Sequence, residues 1–201
     1  MAADKNKKIN AKKGNKMTPL HLACIVGEIE IVEALVDEGA AIDETWESGA
    51  TPLITAAKYG HENIVEYLIH NSADKTIETC KGYTALLTSA KYGKSHIVTY
   101  LLKEKDDINV QAKDSSTIIH VCATKNQLTV LEKMIEESGK KNELIDMVNI
   151  PDKNGNTPLH IAAMKGYFTF AKFLLEQLGS AKSLKIKISG HRYTWLSSTD
   201  T

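Results

Sequence analysis

The chain has 201 residues, 42% hydrophobic and 25% charged, with 25 basic side chains against 25 acidic ones and a formal net charge of zero. That is enough apolar material for one or two globular domains, and the balance gives no general reason to expect nucleic acid or an anionic membrane as partner. No apolar run approaches the roughly 18 residues of a bilayer span, and the polar N-terminus lacks the apolar stretch of a secretory signal. The cysteines (Cys24, Cys80, Cys122) are odd in number and fit a reducing compartment. The expected location is therefore cytoplasmic, with the nucleus as the alternative.

Residues 1–14 form a basic arm, and its Ile9-Asn10-Ala11-Lys12 resembles the tail of an earlier repeat unit. From residue 15 the chain repeats itself. Thr18-Pro19-Leu20-His21, Thr51-Pro52-Leu53-Ile54, Thr84-Ala85-Leu86-Leu87 and Thr117-Ile118-Ile119-His120 recur at a step of 33 residues. Thr157-Pro158-Leu159-His160 follows after a step of 40, which places a seven-residue insertion in the fourth unit. The units run 15–47, 48–80, 81–113, 114–153 and 154–179. In each, Thr caps a short helix whose first turn tolerates Pro. A pair of small residues follows, then a turn at Gly27, Gly60, Gly93, Asn126 or Gly166. Apolar pairs such as Ile31-Val32 and Leu35-Val36 then mark the buried stripe of a second, amphipathic helix. An Asp/Asn/Gly-rich connection, clearest at Val148–Asn156, reads as a hairpin-like finger. The inserted stretch Gly139–Met147 lengthens a helix or loop at the edge of the array. In residues 180–201, Leu184, Ile186 and Ile188 alternate with Lys185 and Lys187 as in a strand. Gly190 would then turn the chain into a return strand through Tyr193, Trp195 and Leu196.

These columns resemble the ankyrin repeat, a 33-residue unit carrying Thr-Pro-Leu-His, over roughly residues 15–179. The resemblance implies an all-α solenoid of helix-turn-helix units with hairpin fingers, in which neighbouring units bury each other's apolar faces. It implies a non-catalytic protein–protein interaction scaffold, monomeric, holding its partner in the groove formed by fingers and first helices. The alternative is a cytosolic array belonging to a larger signalling protein or to an ankyrin-type transient receptor potential channel. Apolar Phe168, Phe170, Phe173, Leu174 and Leu175 in the last unit support that expectation of a longer array. The chain departs from the pattern at Ile54 and Leu87, where His is usual, and at Ser115, where the finger has glycine elsewhere. The fourth unit is the weakest match, and its finger is expected to be the least regular. By resemblance, His21, His120 and His160 hydrogen-bond backbone between repeats, and Asn109 is a candidate for asparaginyl hydroxylation.

The groove positions that the resemblance assigns can be read residue by residue. The first helices end in Ile25-Val26, Lys58-Tyr59, Lys91-Tyr92, Thr124-Lys125 and Met164-Lys165. Fingers and helix ends together offer Lys58, Lys81, Lys91, Lys113, Lys125, Lys153 and Lys165 against Glu47 and Asp114 alone. Tyrosine and tryptophan are preferred interface anchors, and lysines around them favour an acidic partner segment. The expected contact residues are Trp46, Lys58, Tyr59, Lys81, Tyr83, Lys91, Tyr92, Lys125, Met164 and Lys165. Residues 17–57 run the other way, with Glu28, Glu30, Glu33, Asp37, Glu38, Asp43, Glu44 and Glu47 and no lysine or arginine. That acidic first unit argues against single-stranded nucleic acid in the groove.

Nothing in the sequence builds a catalytic, cofactor or metal site. Gly93-Lys94-Ser95 ends like a phosphate-binding loop, but Thr88 stands where that motif needs its first glycine. The recurring histidines are spaced by whole repeats and do not converge as metal ligands would. Cys24 and Cys122 fall in the small-residue core columns, whereas Cys80 lies on a finger, exposed beside Lys81.

Overall fold

The computed structural model describes residues 9–12 and 16–179, together with the backbone of 186–188 and 191–193. Thr18, Thr51, Thr84 and Thr157 each adopt extended backbone, and the hydroxyl accepts a hydrogen bond from the amide three residues on. Each such cap is worth about 1 kcal/mol. They launch α1 (Pro19–Val26), α3 (Pro52–Tyr59), α5 (Ala85–Lys91) and α10 (Pro158–Met164), with α7 (Ile118–Lys125) starting after Thr117. The second helices of the units are α2 (Ile29–Asp37), α4 (Glu62–His70), α6 (Ser95–Lys103), α8 (Leu128–Ser138) and α11 (Phe168–Gln177).

The first helices pack side by side in the order α1, α3, α5, α7, α10. Ala57, Ala90 and Ala123 are completely buried at these contacts, small enough for the helices to close on one another. The second helices bury one stripe each: Val32; Ile64, Val65 and Leu68; Ile97, Val98, Leu101 and Leu102; Val130, Leu131 and Met134; Phe170 and Leu174. The result is one continuous core running the length of the stack. The inserted stretch folds as a separate helix, α9 (Lys141–Met147), after Gly139 stops α8 in the left-handed region. It buries Leu144 and Met147 beneath the array edge and leaves Ile145 exposed.

Four fingers close alike. The amide of Trp46 donates to Ala50, Thr79 to Tyr83, Ala112 to Ser116 and Asp152 to Asn156. One further backbone bond joins each finger to the next: Cys80 to Ser48, Lys113 to Lys81 and Lys153 to Asp114. The finger at the start of the fourth unit, expected to be the least regular, closes with the same bonds as the others, which corrects that expectation. Ser115 accepts the left-handed backbone that glycine holds elsewhere, with φ of 61°. The turn is held by Ser115 N–H donating to Ala112 O and by the Asp114 carboxylate accepting from Ser116 N–H. An L-residue in that region costs roughly 1–2 kcal/mol, partly recovered through the stiffer unfolded chain. Ser115→Gly should accordingly stabilise the fold by about 0.5–1 kcal/mol in urea denaturation; unchanged or lowered stability would contradict this account.

Side chains tie the connections on the other edge. The Asn10 carbonyl oxygen accepts from Ala41 N–H at 2.8 Å, Lys12 pairs with Glu44 at 2.7 Å and Lys75 with Asp106 at 2.8 Å. Residues 9–12 thus lie against the first repeat; the rest of the basic arm lies outside the described residues. Near the C-terminus, β1 (Ile186–Ile188) pairs antiparallel with β2 (His191–Tyr193), Ile186 opposite Tyr193. The expected return strand is described as far as Tyr193; Trp195 and Leu196 lie outside the described residues.

Candidate partner-binding face

The turn after each first helix sets two side chains at the mouth of the array. Tyr59 is the last residue of α3, and Tyr92 is the first residue beyond α5. Their rings are 42% and 43% exposed, and the lysine before each is half-buried against them. Lys58 Nζ lies 5.1 Å from the Tyr59 ring centre and 5.6 Å from that of Tyr92, reaching across to the next repeat. Lys91 Nζ lies 4.5 Å from the Tyr83 ring on its own finger and 5.9 Å from Tyr92. Tyr92 therefore sits between two ammonium groups from adjacent repeats. Each contact is worth about 0.5–1 kcal/mol at an exposed site, so the arrangement chiefly holds the cations in place.

The electrostatics are lopsided. Burial holds Lys91 below its ordinary lysine value, and the charges of Lys125, Lys81 and Lys58 push the same way against Asp114 alone. Burial raises the Tyr83 hydroxyl, with Asp114 adding to the effect. Lys12, Lys75, Lys133, Lys140 and Lys172 are each ion-paired with a carboxylate. Lys58, Lys81, Lys91 and Lys125 are not, among the described residues.

Other expected contact residues are placed less uniformly. Lys81, Lys125 and Lys165 are exposed, and Met164 is 51% exposed at one end of the row. Val26, which holds in the first repeat the place of Lys165 in the last, is 66% exposed at the other end. Trp46 is half-buried and packs its ring against the core, its indole N–H buried without a partner among the described residues. It braces the first finger more than it faces outward. The acidic residues Glu28, Glu30, Glu33, Asp37 and Glu38 are exposed along α2 and its ends, away from the lysine row in sequence and in repeat.

Two of the three recurring histidines, His21 and His120, join repeats. His21 Nδ1 accepts from Thr18 N–H, so Nε2 carries the proton and donates to Ala50 O at 3.1 Å. His120 repeats this with Thr117 N–H and Asn156 O, the latter at 3.0 Å. At Ile54 and Leu87 the position is filled by a buried apolar side chain instead. Gly93 belongs to the turn between α5 and α6, and Lys94 packs its side chain over Gly60 of the preceding repeat. That stacking column was not anticipated: His61 lies over Gly27, Lys94 over Gly60 and Gln127 over Gly93. His61 also stacks on Tyr59 at 6.4 Å and lies 3.2 Å, through Nε2, from Ile25 O, so it supports one end of the row.

The cysteines divide as their columns suggest. Burial pushes the Cys24 thiol up to about 12 and raises Cys122 as well, so both remain protonated. Cys80 is exposed, its Sγ 3.7 Å from Glu47 O on the neighbouring finger. Asn109 is exposed too, its amide and backbone N–H both donating to the Asp107 carboxylate.

The helix pairs, fingers and histidine bridges recur with a regularity that a family pattern should detect. The family model for ankyrin repeats (3 copies) matches residues 2–79 and again 86–186. The chain belongs to the ankyrin repeat family. No curated protein matches it. Ankyrin repeats are in general protein–protein interaction modules, and among the described residues no helix is long and apolar enough to cross a membrane.

Proposed function

We propose that this ankyrin array is an interaction scaffold whose partner, an acidic protein segment, binds across the row Lys58, Tyr59, Lys91 and Tyr92, flanked by Tyr83, Lys81 and Lys125. One observation carries the reading: Lys58 and Lys91 lie over the exposed rings of Tyr59 and Tyr92, with Lys81 and Lys125 near enough to act on Lys91 and only Asp114 opposing them. Keeping like charges together in a fold of zero net charge costs Coulomb energy, which an acidic partner would recover. The tyrosines supply area with little side-chain entropy to lose, and the rigid stack presents them already ordered.

The test is affinity capture from cell lysate with the parent chain and with a Lys58→Glu/Tyr59→Ala/Lys91→Glu/Tyr92→Ala variant shown to be folded by circular dichroism. Partners held by the parent should be lost by the variant, since removing hot spots of this kind costs 2 kcal/mol or more each, roughly 30-fold. Equal retention by both would place the interaction elsewhere, with the acidic α2 face next to be tried.

A further inference from the structure

We propose that copies of this chain stack head to tail, the last repeat of one seating on the first repeat of the next, in place of the monomer that the resemblance implies. The faces that would meet are found by comparing each column at the two ends of the array. Ile31 is 51% exposed, whereas Ile64, Ile97, Val130 and Phe170, which hold its place in the later repeats, are buried. Leu22 is 38% exposed, whereas Thr55, Thr88, Val121 and Ile161 are buried. Phe170 and Ile161 belong to the last repeat, so it is the preceding repeat that covers these columns, and in the first repeat they lie open. The opposite face follows in the same way. Ala163 is exposed, whereas Cys24, Ala57, Ala90 and Ala123 are completely buried. Ala171 is half-buried in a column where Val32, Val65, Val98 and Leu131 are completely buried. Cys24 and Val32 belong to the first repeat, so the following repeat covers these columns.

The interior joints define what each open face accepts. In a solenoid every joint is the same contact, between the trailing face of one repeat and the leading face of the next. Among the described residues the chain leaves one of each uncovered: Ala163 and Ala171 on α10 and α11, Leu22 and Ile31 on α1 and α2. Across the joint between the second and third repeats, Lys58 reaches to 5.6 Å from the Tyr92 ring centre. The counterparts at the new joint are Met164 and Val26, 51% and 66% exposed, which would cover one another as an apolar pair. His61, Lys94 and Gln127 each lie over the glycine turn of the preceding repeat. Glu28 holds their place in the first repeat and is exposed, while a Cβ at Gly166 in the last repeat would meet nothing within 4 Å.

Charge selects head-to-tail over head-to-head pairing. Residues 17–57 hold eight acids and no lysine or arginine, so two first repeats would repel. The last repeat, residues 154–179, holds Lys165 and Lys172 against Glu176, and meets that acidic end without the same penalty. The N-terminal arm leaves room for it. The Asn10 carbonyl oxygen accepts from Ala41 N–H as the Asp43 carboxylate accepts from Asp74 N–H between the first and second repeats. Residues 9–12 thus fill the place that the end of a preceding repeat would take, and the part of the first repeat's face that stays open is the helical part. The last repeat of a second copy brings the two helices that fit there.

The experiment is sedimentation velocity on the full chain over a range of concentrations. The weight-average mass of the parent should rise with concentration and pass that of a dimer, because a head-to-tail contact leaves a free face at each end. Ile31→Asp spoils the leading face and Ala163→Glu the trailing one. Both positions are exposed in the single chain, and each variant is first confirmed folded by circular dichroism. Alone, each should associate about tenfold or more weakly than the parent. Mixed in equal amounts, they should form a one-to-one dimer and nothing larger, since the mixture keeps an intact face of each kind on different chains. Ala163→Ser, which keeps its column small, should associate as the parent does. A parent that stays monomeric at millimolar concentration overturns the proposal, as does undiminished association of either face variant alone, or a mixture that gives no dimer.

Discussion

Gly82→Ala is expected to destabilise the array by about 2–3 kcal/mol, the sum of a backbone cost and a loss of contact between fingers. Gly82 holds φ at 78°, where an L-residue costs roughly 1–2 kcal/mol. A Cβ placed there would also lie 2.6 Å from Lys113 N, backbone of the next finger that cannot swing aside as a side chain could. To make room, the 3.1 Å bond from Lys113 N–H to Lys81 O must open, a further loss of about 1 kcal/mol. Gly139→Ala is the control. Its φ is 64°, yet a Cβ there meets nothing within 4 Å, so only the backbone cost of about 1–2 kcal/mol applies. Urea denaturation of the two variants separates the effects, and equal losses would show that the finger contact contributes nothing. The same substitution should weaken partner binding, because Lys81 and Tyr83 flank Gly82 and Lys91 is seated over the Tyr83 ring.

The features legible in the sequence are those set by local chemistry. Threonine caps, glycine turns and apolar stripes each depend on residues within a turn or two, and a repeating chain states them several times over. Ile25-Val26 through Met164-Lys165 could be assigned to the groove because a column in the repeat is a place in the stack. Contacts between columns were not legible. Nothing local says that Lys91 reaches back to the ring of Tyr83 while Lys58 reaches forward to Tyr92, since both depend on how far one repeat lies from the next. The same holds for His61 over Gly27, where ring and glycine are more than a full repeat apart. Trp46 misled for a related reason. A finger position suggests exposure, but the first finger folds its indole back against the core. Ser115 shows the limit of reading a motif as a requirement: one residue's strain is small beside the bonds that close its finger.

His120→Leu is expected to cost about 1–3 kcal/mol at neutral pH, because it leaves a buried amide unpaired. Its loss strands Thr117 N–H, now 3.2 Å from Nδ1, and takes from Asn156 O one of its two donors, 3.0 Å away, leaving the Asp152 amide. Each buried group left unpaired costs roughly 1–3 kcal/mol. The neutral ring serves the Thr117 amide best: a proton on Nδ1 would point a donor at the Thr117 N–H and leave only the hydroxyl oxygen 2.8 Å away to accept it. Burial accordingly holds His120 below its ordinary value of 6.5, although the bond to Asn156 O and the charges of Asp152 and Asp114 favour the cation. His21 is held down in the same way, with Ala50 O and Glu44 opposing burial and Lys12 assisting it. The unfolded chain therefore takes up these protons first as pH falls. Stability from both rings is fully present above about 6.5 and is lost as pH drops through that value toward the lower folded ones. Each group can contribute a slope of up to about 1.4 kcal/mol per pH unit. Urea denaturation between pH 5 and pH 8 should show the parent weakening on acidification and the gap to His120→Leu narrowing. Parallel curves would mean that His120 titrates alike in both states. Because Asn156 closes the last finger and Thr117 starts α7, acidification acts through His120 at the joint between the fourth and fifth repeats.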